Sequence, residues 1–353
     1  MVRHFDPNAT ASENSGVFGL PYTEAEAELV LIPVPWEATT SYGGGTSDGP
    51  RAIFEASKQV DLFDLEILKP YEAGIYMCDE LNEIRDWNAR AKTEAQKIIA
   101  AAGVTDDKPA LIAALKTVNE YGEKLNHSVY VQTKKLLSAG KLVGVIGGDH
   151  STPFGALQAI SEKYKSFGIL HFDAHSDTRQ AYQGFTWSHA SIMYNVLEKL
   201  NGVIKLVQVG IRDICEQEVE YTATLKNRVK VFYDQDLALR KLEGAHWDKI
   251  TKDIISTLPH EVWVSFDIDG LDPRFCPHTG TPVPGGLDYH EALYLISAVV
   301  KSGRKIIGFD INEVAPNPRS SETGDEWDAN VGARLLYKLC AWTLASQSKA
   351  KQR

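Results

Sequence analysis

A doubly wound parallel sheet with helices on both faces is the fold class this sequence predicts. The first observation is a set of short apolar runs, Leu142-Val143-Gly144-Val145-Ile146, Phe167-Gly168-Ile169-Leu170-His171-Phe172 and Val262-Trp263-Val264-Ser265-Phe266. They are rich in β-branched and aromatic residues and lack the alternation of a half-exposed strand, so they read as strands buried on both faces. The second is that candidate helices alternate with these runs through the second half of the chain, the pattern of a parallel sheet. The third is that each run is followed at once by polar residues: Gly147-Gly148-Asp149-His150, Asp173-Ala174-His175-Ser176-Asp177 and Asp267-Ile268-Asp269. In open α/β sheets the carboxyl ends of the strands are where ligands bind.

In chain order, residues 1–26 are polar and irregular and form an N-terminal extension. Leu29-Val30-Leu31-Ile32-Pro33-Val34 reads as the first strand, and the loop from Ser41 to Arg51 opens a helix through Ile53 and Phe54. The glycines of that loop match neither GxxxxGK[ST] nor GxGxxG, so they serve conformation rather than a phosphate. Residues 80–140 read as a helical insertion, with helices expected over Lys92 to Ala102 and Pro109 to Ser138. Further helices are expected over Thr152 to Tyr164, Ser188 to Leu200, Tyr289 to Lys301 and Asp328 to Ala345. Further strands are expected at Ile204 to Val209, Val229 to Tyr233 and Arg304 to Phe309. The whole, residues 1–353, is expected to form a single domain, because the 353 residues are long for one domain but short for two full ones.

The acidic clusters carry the chemistry. Alternation along an extended chain places Asp173, His175 and Asp177 on one side, with Ala174 and Ser176 against the wall, and Asp267 and Asp269 repeat the arrangement. Several carboxylates within a few ångströms cannot all stay ionised unless cations join them. Imidazole and carboxylate donors without cysteine suit Mn, Fe, Co, Ni or Zn better than Ca, and disfavour copper and iron–sulfur centres. His171 lies inside its strand and reads as a satisfied core histidine, with the orienting of a ligand as the alternative.

The formal charge of −10 disfavours nucleic acid and anionic membrane surfaces as partners. No apolar stretch approaches ~18 residues and the N-terminus lacks a signal-peptide core, so the expected location is cytoplasmic. Cys78, Cys215, Cys276 and Cys340 show no CxxC spacing and are expected to be reduced.

With these residues in view, the chain resembles the ureohydrolases, the arginase and agmatinase superfamily. The resemblance is carried by Gly147-Gly148-Asp149-His150-Ser151, Asp173-Ala174-His175-Ser176-Asp177, the run from Ser265 to Pro273, the run from Thr279 to Leu287, and Asp310-Ile311-Asn312-Glu313-Val314-Ala315-Pro316. It implies a three-layer α/β/α arginase-like fold assembled as homotrimers or homohexamers. It also implies two divalent metal ions per chain, Mn²⁺ in the usual case and Ni²⁺ as the alternative. His150, Asp173, Asp177 and Asp267 would hold one ion, and Asp173, His175, Asp267 and Asp269 the other. A water shared between the two ions would lose its proton and attack the guanidino carbon of a small substrate, releasing urea. Asp177 would orient that nucleophile, Glu313 would bind the guanidinium, His189 would relay a proton to the leaving amine, and Thr281 would line the same pocket.

The substrate is the open question at this stage. An asparagine that arginases carry two residues past the second motif is replaced by Arg179, which disfavours arginine as substrate. Turned inward, Arg179 would pair with a substrate carboxylate, as guanidino acids or formimidoylglutamate require. Trp187 and Trp327 would either shrink the pocket toward free guanidine, a nickel-dependent activity within an extended agmatinase-like branch, or serve as packing. Agmatinase-like hydrolysis of a small guanidino compound is the leading expectation. Guanidine hydrolysis, formimidoylglutamate or guanidino-acid hydrolysis, and a non-enzymatic metal-stabilised scaffold are the alternatives.

Overall fold

A computed structural model describes residues 5–12, 14–104 and 107–353. Parts of the expected N-terminal extension (1–4 and 13) and of the expected insertion (105–106) lie outside the described residues. Among the described residues ten strands are formed: β1 (Leu29–Val34), β2 (Ile67–Leu68), β3 (Ile75–Met77), β4 (Leu142–Gly147), β5 (Phe167–Phe172), β6 (Val203–Ile211), β7 (Val229–Tyr233), β8 (Glu261–Asp267), β9 (Lys305–Asn312) and β10 (Lys351–Gln352). Eight of them make one sheet in the order β3-β1-β4-β9-β8-β5-β6-β7, and every pairing in it is parallel. β2 and β10 form a separate antiparallel pair.

Alternation along the strands divides the core into two faces. Leu29, Leu31, Leu170, Phe172, Val262 and Val264 face one layer, built from α1 (Gly49–Ser57) and, later in the chain, the helices over residues 234–242, 247–256, 289–301 and 327–346. Val30, Ile32, Val143, Val145, Ile169 and Trp263 face the other, built from α2 (Asn82–Ala100), α3 (Pro109–Ser138), α4 (Phe154–Lys163) and α5 (Ile192–Lys199). The result is the three-layer α/β/α arrangement. A strand covered on both sides must be apolar on both sides, which is why the central strands read as continuous hydrophobic runs.

Three helices between residues 212 and 257 were not anticipated: α6 (Glu216–Thr224), α7 (Asp234–Leu242) and α8 (Trp247–Ser256). α6 buries only Glu218 and Thr222, and α7 only Leu237, so neither shows an apolar stripe. The chain closes with α9 (Tyr289–Lys301), a short α10 (Ser320–Thr323) and α11 (Trp327–Ser346). α2 starts ten residues ahead of the expected Lys92, and α4 begins only at Phe154, after a turn that carries His150. Among the described residues no helix is long and apolar enough to cross a membrane.

Candidate metal centre

The four strands at the middle of the sheet, β4, β9, β8 and β5, are neighbours, and each ends in one of the polar clusters. β4 delivers His150, β5 delivers Asp173, His175 and Asp177, β8 delivers Asp267 and Asp269, and β9 delivers Glu313. The turn after β4 depends on the absence of a side chain at Gly148, where a Cβ would stand 2.0 Å from the Trp36 carbonyl oxygen. Asp177 and Glu313 adopt left-handed backbone, at φ 55° and 63°. For side chains other than glycine this conformation costs of order 1–3 kcal/mol and persists only where the surroundings enforce it. At Glu313 they do: its amide donates to the Gly148 carbonyl (2.7 Å) and its carbonyl accepts from Thr279 Oγ1 (2.8 Å).

Five of the six residues expected to hold metal are nearly inaccessible, and His175 is partly exposed. His150 Nδ1 lies 3.0 Å from Asp173 Oδ2, 3.2 Å from Asp267 Oδ2 and 3.4 Å from Asp177 Oδ2. His175 Nδ1 lies 3.1 Å from Asp269 Oδ2 and 3.4 Å from Asp173 Oδ1. Two groups of donor atoms result, each within a 4.8 Å span: His150, His171, Asp173 and Asp177 in one, Asp173, His175 and Asp269 in the other. Asp173 belongs to both, so its carboxylate sits between two cation-sized positions. Asp267 lies outside these two groups, although it touches His150 and its Oδ1 accepts from the Asp269 amide at 2.9 Å.

The electrostatics of this cluster are those of a site short of positive charge. Burial, followed by repulsion from Asp173, pushes the Asp177 carboxyl up to about 7. Burial and the charges of Asp269 and Asp173 raise Asp267 well above the carboxylate range. Burial and Asp149 do the same to Glu313, and burial takes Asp149 itself to about 7. Burial alone would lower His150, but its contacts with Asp173, Asp177, Asp267 and Asp310 outweigh that and raise it well above its usual value. His175 is driven to about 12 by Asp269 and Asp173 against the opposing effect of burial. Divalent cations remove this conflict by taking the place of the protons, and mixed imidazole and carboxylate donors are the right chemistry for them. The residues present therefore fit a two-cation centre.

A pH dependence follows. Asp177 and Asp149 hold protons in the metal-free fold up to about pH 7, whereas in the unfolded chain they release them near 3.8. The unfolded state thus binds fewer protons across this window, and the stability contributed below about pH 4 is lost as pH rises toward 7. The melting temperature of chelated protein is expected to fall between pH 4 and 7.5. Saturating Mn²⁺ should turn the trend around, because ligand deprotonation strengthens metal binding. A flat profile in the chelated protein would contradict this account.

The remaining expected residues are placed less uniformly. Glu313 Oε1 accepts from the His150 amide (3.0 Å), and Thr281 Oγ1 lies 3.4 Å from Asp269 Oδ2, so both border the cluster. His189 opens a short turn, His189–Ser191, capped by Ser188 Oγ. Its Nδ1 has no hydrogen-bond partner, and burial together with the charge of His175 lowers its pKa to about 4. It is thus a neutral ring with an uncommitted nitrogen near the cluster.

Three side chains depart from the expectation. Arg179 does not reach for an incoming carboxylate: its Nε lies 3.6 Å from Glu218 Oε2 and its guanidinium stacks 5.1 Å from the Tyr182 ring. Trp187 does not close the site. Its indole packs on Phe154 at 4.8 Å and against Gly122 of α3, where a Cβ would stand 2.8 Å from the Trp187 Cβ. Its large apolar surface is used to join the two outer helices α3 and α4. Trp327 remains 48% exposed, its Nε1 donating to the Arg274 carbonyl at 2.9 Å.

Supporting residues went unassigned in the sequence. His150 Nε2 is paired with Ser265 Oγ (2.9 Å), which donates to Asp310 Oδ1 (2.8 Å), so the ring is turned with Nδ1 toward the carboxylates. Arg212 donates to the carbonyls of Asp269 (2.7 Å), Leu271 (3.2 Å) and Val283 (2.9 Å), pinning the turn that carries Asp269 to the loop before α9. A Ser at alternate spacing to Asp267 was a usable signal for the first. Nothing local marks Arg212, most of whose partners are backbone carbonyls far along the chain.

Comparison with known proteins was made on this basis. The sequence model of the Arginase family matches residues 27–341. An N(1)-aminopropylagmatine ureohydrolase from Synechocystis is 30% identical over 328 residues, 92% of each chain. An agmatinase from Cronobacter sakazakii is 28% identical over 95% of this chain and 96% of its own. Among solved structures, the agmatine ureohydrolase of Thermoplasma volcanium superposes with a TM-score of 0.71 at 21% identity, covering 96% of this chain and 97% of its own.

Proposed function

The chain belongs to the arginase family, as a metal-dependent hydrolase of guanidino compounds, and from that premise we propose that it cleaves a guanidino group carried on a cationic amine chain. The products would be urea and the free amine, with water as co-substrate. The observation that carries the reading is the shared carboxylate of Asp173, between two groups of imidazole and carboxylate donors, with the Glu313 carboxylate alongside. Two divalent ions, Mn²⁺ first among them, would be held by His150, Asp173, His175, Asp177, Asp267 and Asp269. Bound there, they would supply an activated water nucleophile at neutral pH and stabilise the negative charge on its oxygen.

The chain's own groups do the rest. The Glu313 carboxylate pairs with the planar guanidinium, whose N–H groups present a fork that matches two carboxylate oxygens. Asp177 accepts and orients a proton of the attacking water. His189, neutral and with a free nitrogen, passes a proton to the departing amine, which would otherwise leave as an unstable amide anion.

The amine tail is favoured over a carboxylate tail by the position of Arg179. Its charge is already matched by Glu218. The relatives act, by their names, on agmatine and aminopropylagmatine, both amine-tailed. Trp187, committed to α3 and α4, lends no support to a pocket closed down to free guanidine.

The test is urea release from protein loaded with Mn²⁺ or Ni²⁺ and offered agmatine, aminopropylagmatine, guanidine, arginine and formimidoylglutamate. Turnover is expected for the first two. Formamide from formimidoylglutamate, with no urea from any other compound, would overturn the reading. Arg179→Ala should alter kcat/KM for the preferred amine by no more than about twofold, the range of a substitution outside the binding contacts. A loss beyond tenfold would place Arg179 in the site after all.

A further inference from the structure

We propose that His171 and Gln208 are positioning residues for Asp173, a buried relay that fixes how its shared carboxylate meets the metals and thereby sets metal affinity. The inference rests on the assignment of the cluster as a metal centre. His171 sits in β5 with no solvent exposure, and its ring belongs to the same 4.8 Å group as His150, Asp173 and Asp177. Proximity alone would therefore admit it as a further ligand. The hydrogen bonds decide otherwise.

Gln208, on β6, is the register partner of His171. Its amide is oriented by a single neighbour: Nε2 donates to the Ser176 carbonyl (2.7 Å), and Oε1 accepts from Ser176 Oγ (3.1 Å). A carbonyl can only accept, so reversing the amide would set Oε1 against the Ser176 carbonyl oxygen and lose that bond. The second Nε2 hydrogen is then aimed at His171 Nδ1, 3.0 Å away, which must accept it. A neutral imidazole with an accepting Nδ1 carries its proton on Nε2. That proton goes to Asp173 Oδ2 at 2.8 Å. Both ring nitrogens are committed, and neither lone pair is left for a cation.

The other Asp173 oxygen is held independently, Oδ1 accepting from the His175 amide. Once the His150 and His175 rings turn to the metals, each Asp173 oxygen would keep one protein donor, His171 on Oδ2 and the His175 amide on Oδ1, and a lone pair for an ion. Outer partners of this kind typically change metal affinity by 10–100-fold when removed. The relay explains why a Gln and a His stand in strands whose other inward residues are apolar: neither could be buried without the other.

The test is titration of metal-free protein with Mn²⁺ by calorimetry, with stoichiometry checked by elemental analysis, for wild type, His171→Phe and His171→Gln. His171→Phe keeps a ring but no donor and is expected to lose about 10–100-fold in affinity. His171→Gln, which keeps an N–H near the place of Nε2, should recover most of it. In metal-free protein labelled with ¹⁵N-histidine, His171 should show the Nε2–H tautomer, and Gln208→Leu should mix the two tautomers. Wild-type affinity for two ions in His171→Phe, an equal loss in His171→Gln, or an Nδ1–H tautomer in wild type would each overturn the relay alone. Failure of wild type to take up two ions would overturn the metal assignment and the relay with it.

Discussion

Asp173→Ala is expected to be the most damaging single substitution in this protein, removing measurable turnover and weakening the binding of both metals. Its carboxylate is the one group common to both clusters of donor atoms, and it meets His150, His171 and His175. Loss of an outer partner costs up to about 100-fold in metal affinity, and a bridging ligand should cost more than that at each position. The fold should survive, because the deletion also removes a buried negative charge from a crowded site. Retention of two tightly bound ions per chain in folded Asp173→Ala, read by elemental analysis after dialysis, would show that the ions sit elsewhere.

His189→Ala is expected to separate chemistry from metal binding. The ring makes no hydrogen bond through Nδ1, and its surroundings keep it neutral. Its removal should therefore leave the metal content at wild-type level. Turnover should fall by about 10²–10⁴-fold, the usual contribution of a positioned proton-transfer group. The loss should appear in kcat rather than KM, since the departing amine needs the proton only as the C–N bond breaks. Depleted metal in the variant would mean that His189 supports the cluster instead.

Much of this architecture was legible because burial on both faces writes an unmistakable pattern. β4, β5, β7 and β8 lie at or within two residues of the apolar runs, and the polar clusters sit where those runs end. The exceptions share a cause. β3 is three residues long and β2 and β10 only two, and such pieces are strands by virtue of a neighbour rather than of their own composition. α6 and α7 bury too little to show a stripe, although Ile250, Ile254 and Ile255 of α8 are spaced as a helix requires. At the site, residues that act through their own charge stood out, whereas Gln208, Arg212 and Asp310 act through partners distant in sequence. Trp187 is ambiguous in the sequence for a related reason. A large aromatic near a catalytic motif can face either the cavity or the helices behind it, and the choice depends on Gly122 and Phe154, more than 30 residues upstream in both cases.

The place of β9 has a consequence for how the molecule comes into being. Synthesised after every other strand of the large sheet, it is inserted between β4 and β8, and no direct pairing joins those two. Until residue 312 has left the ribosome the sheet exists as two separate halves, β3-β1-β4 and β8-β5-β6-β7, each with a bare edge where the other belongs. His150 is on one half, and the five aspartate and histidine residues proposed as ligands after β5 and β8 are on the other. A nascent chain therefore lacks the His150 donor of one group until the sheet closes, whereas Asp173, His175 and Asp269 of the other already share a half. The same order of events exposes two unpaired edges on any chain that stops short of Lys305, a form open to edge-to-edge association and to proteolysis.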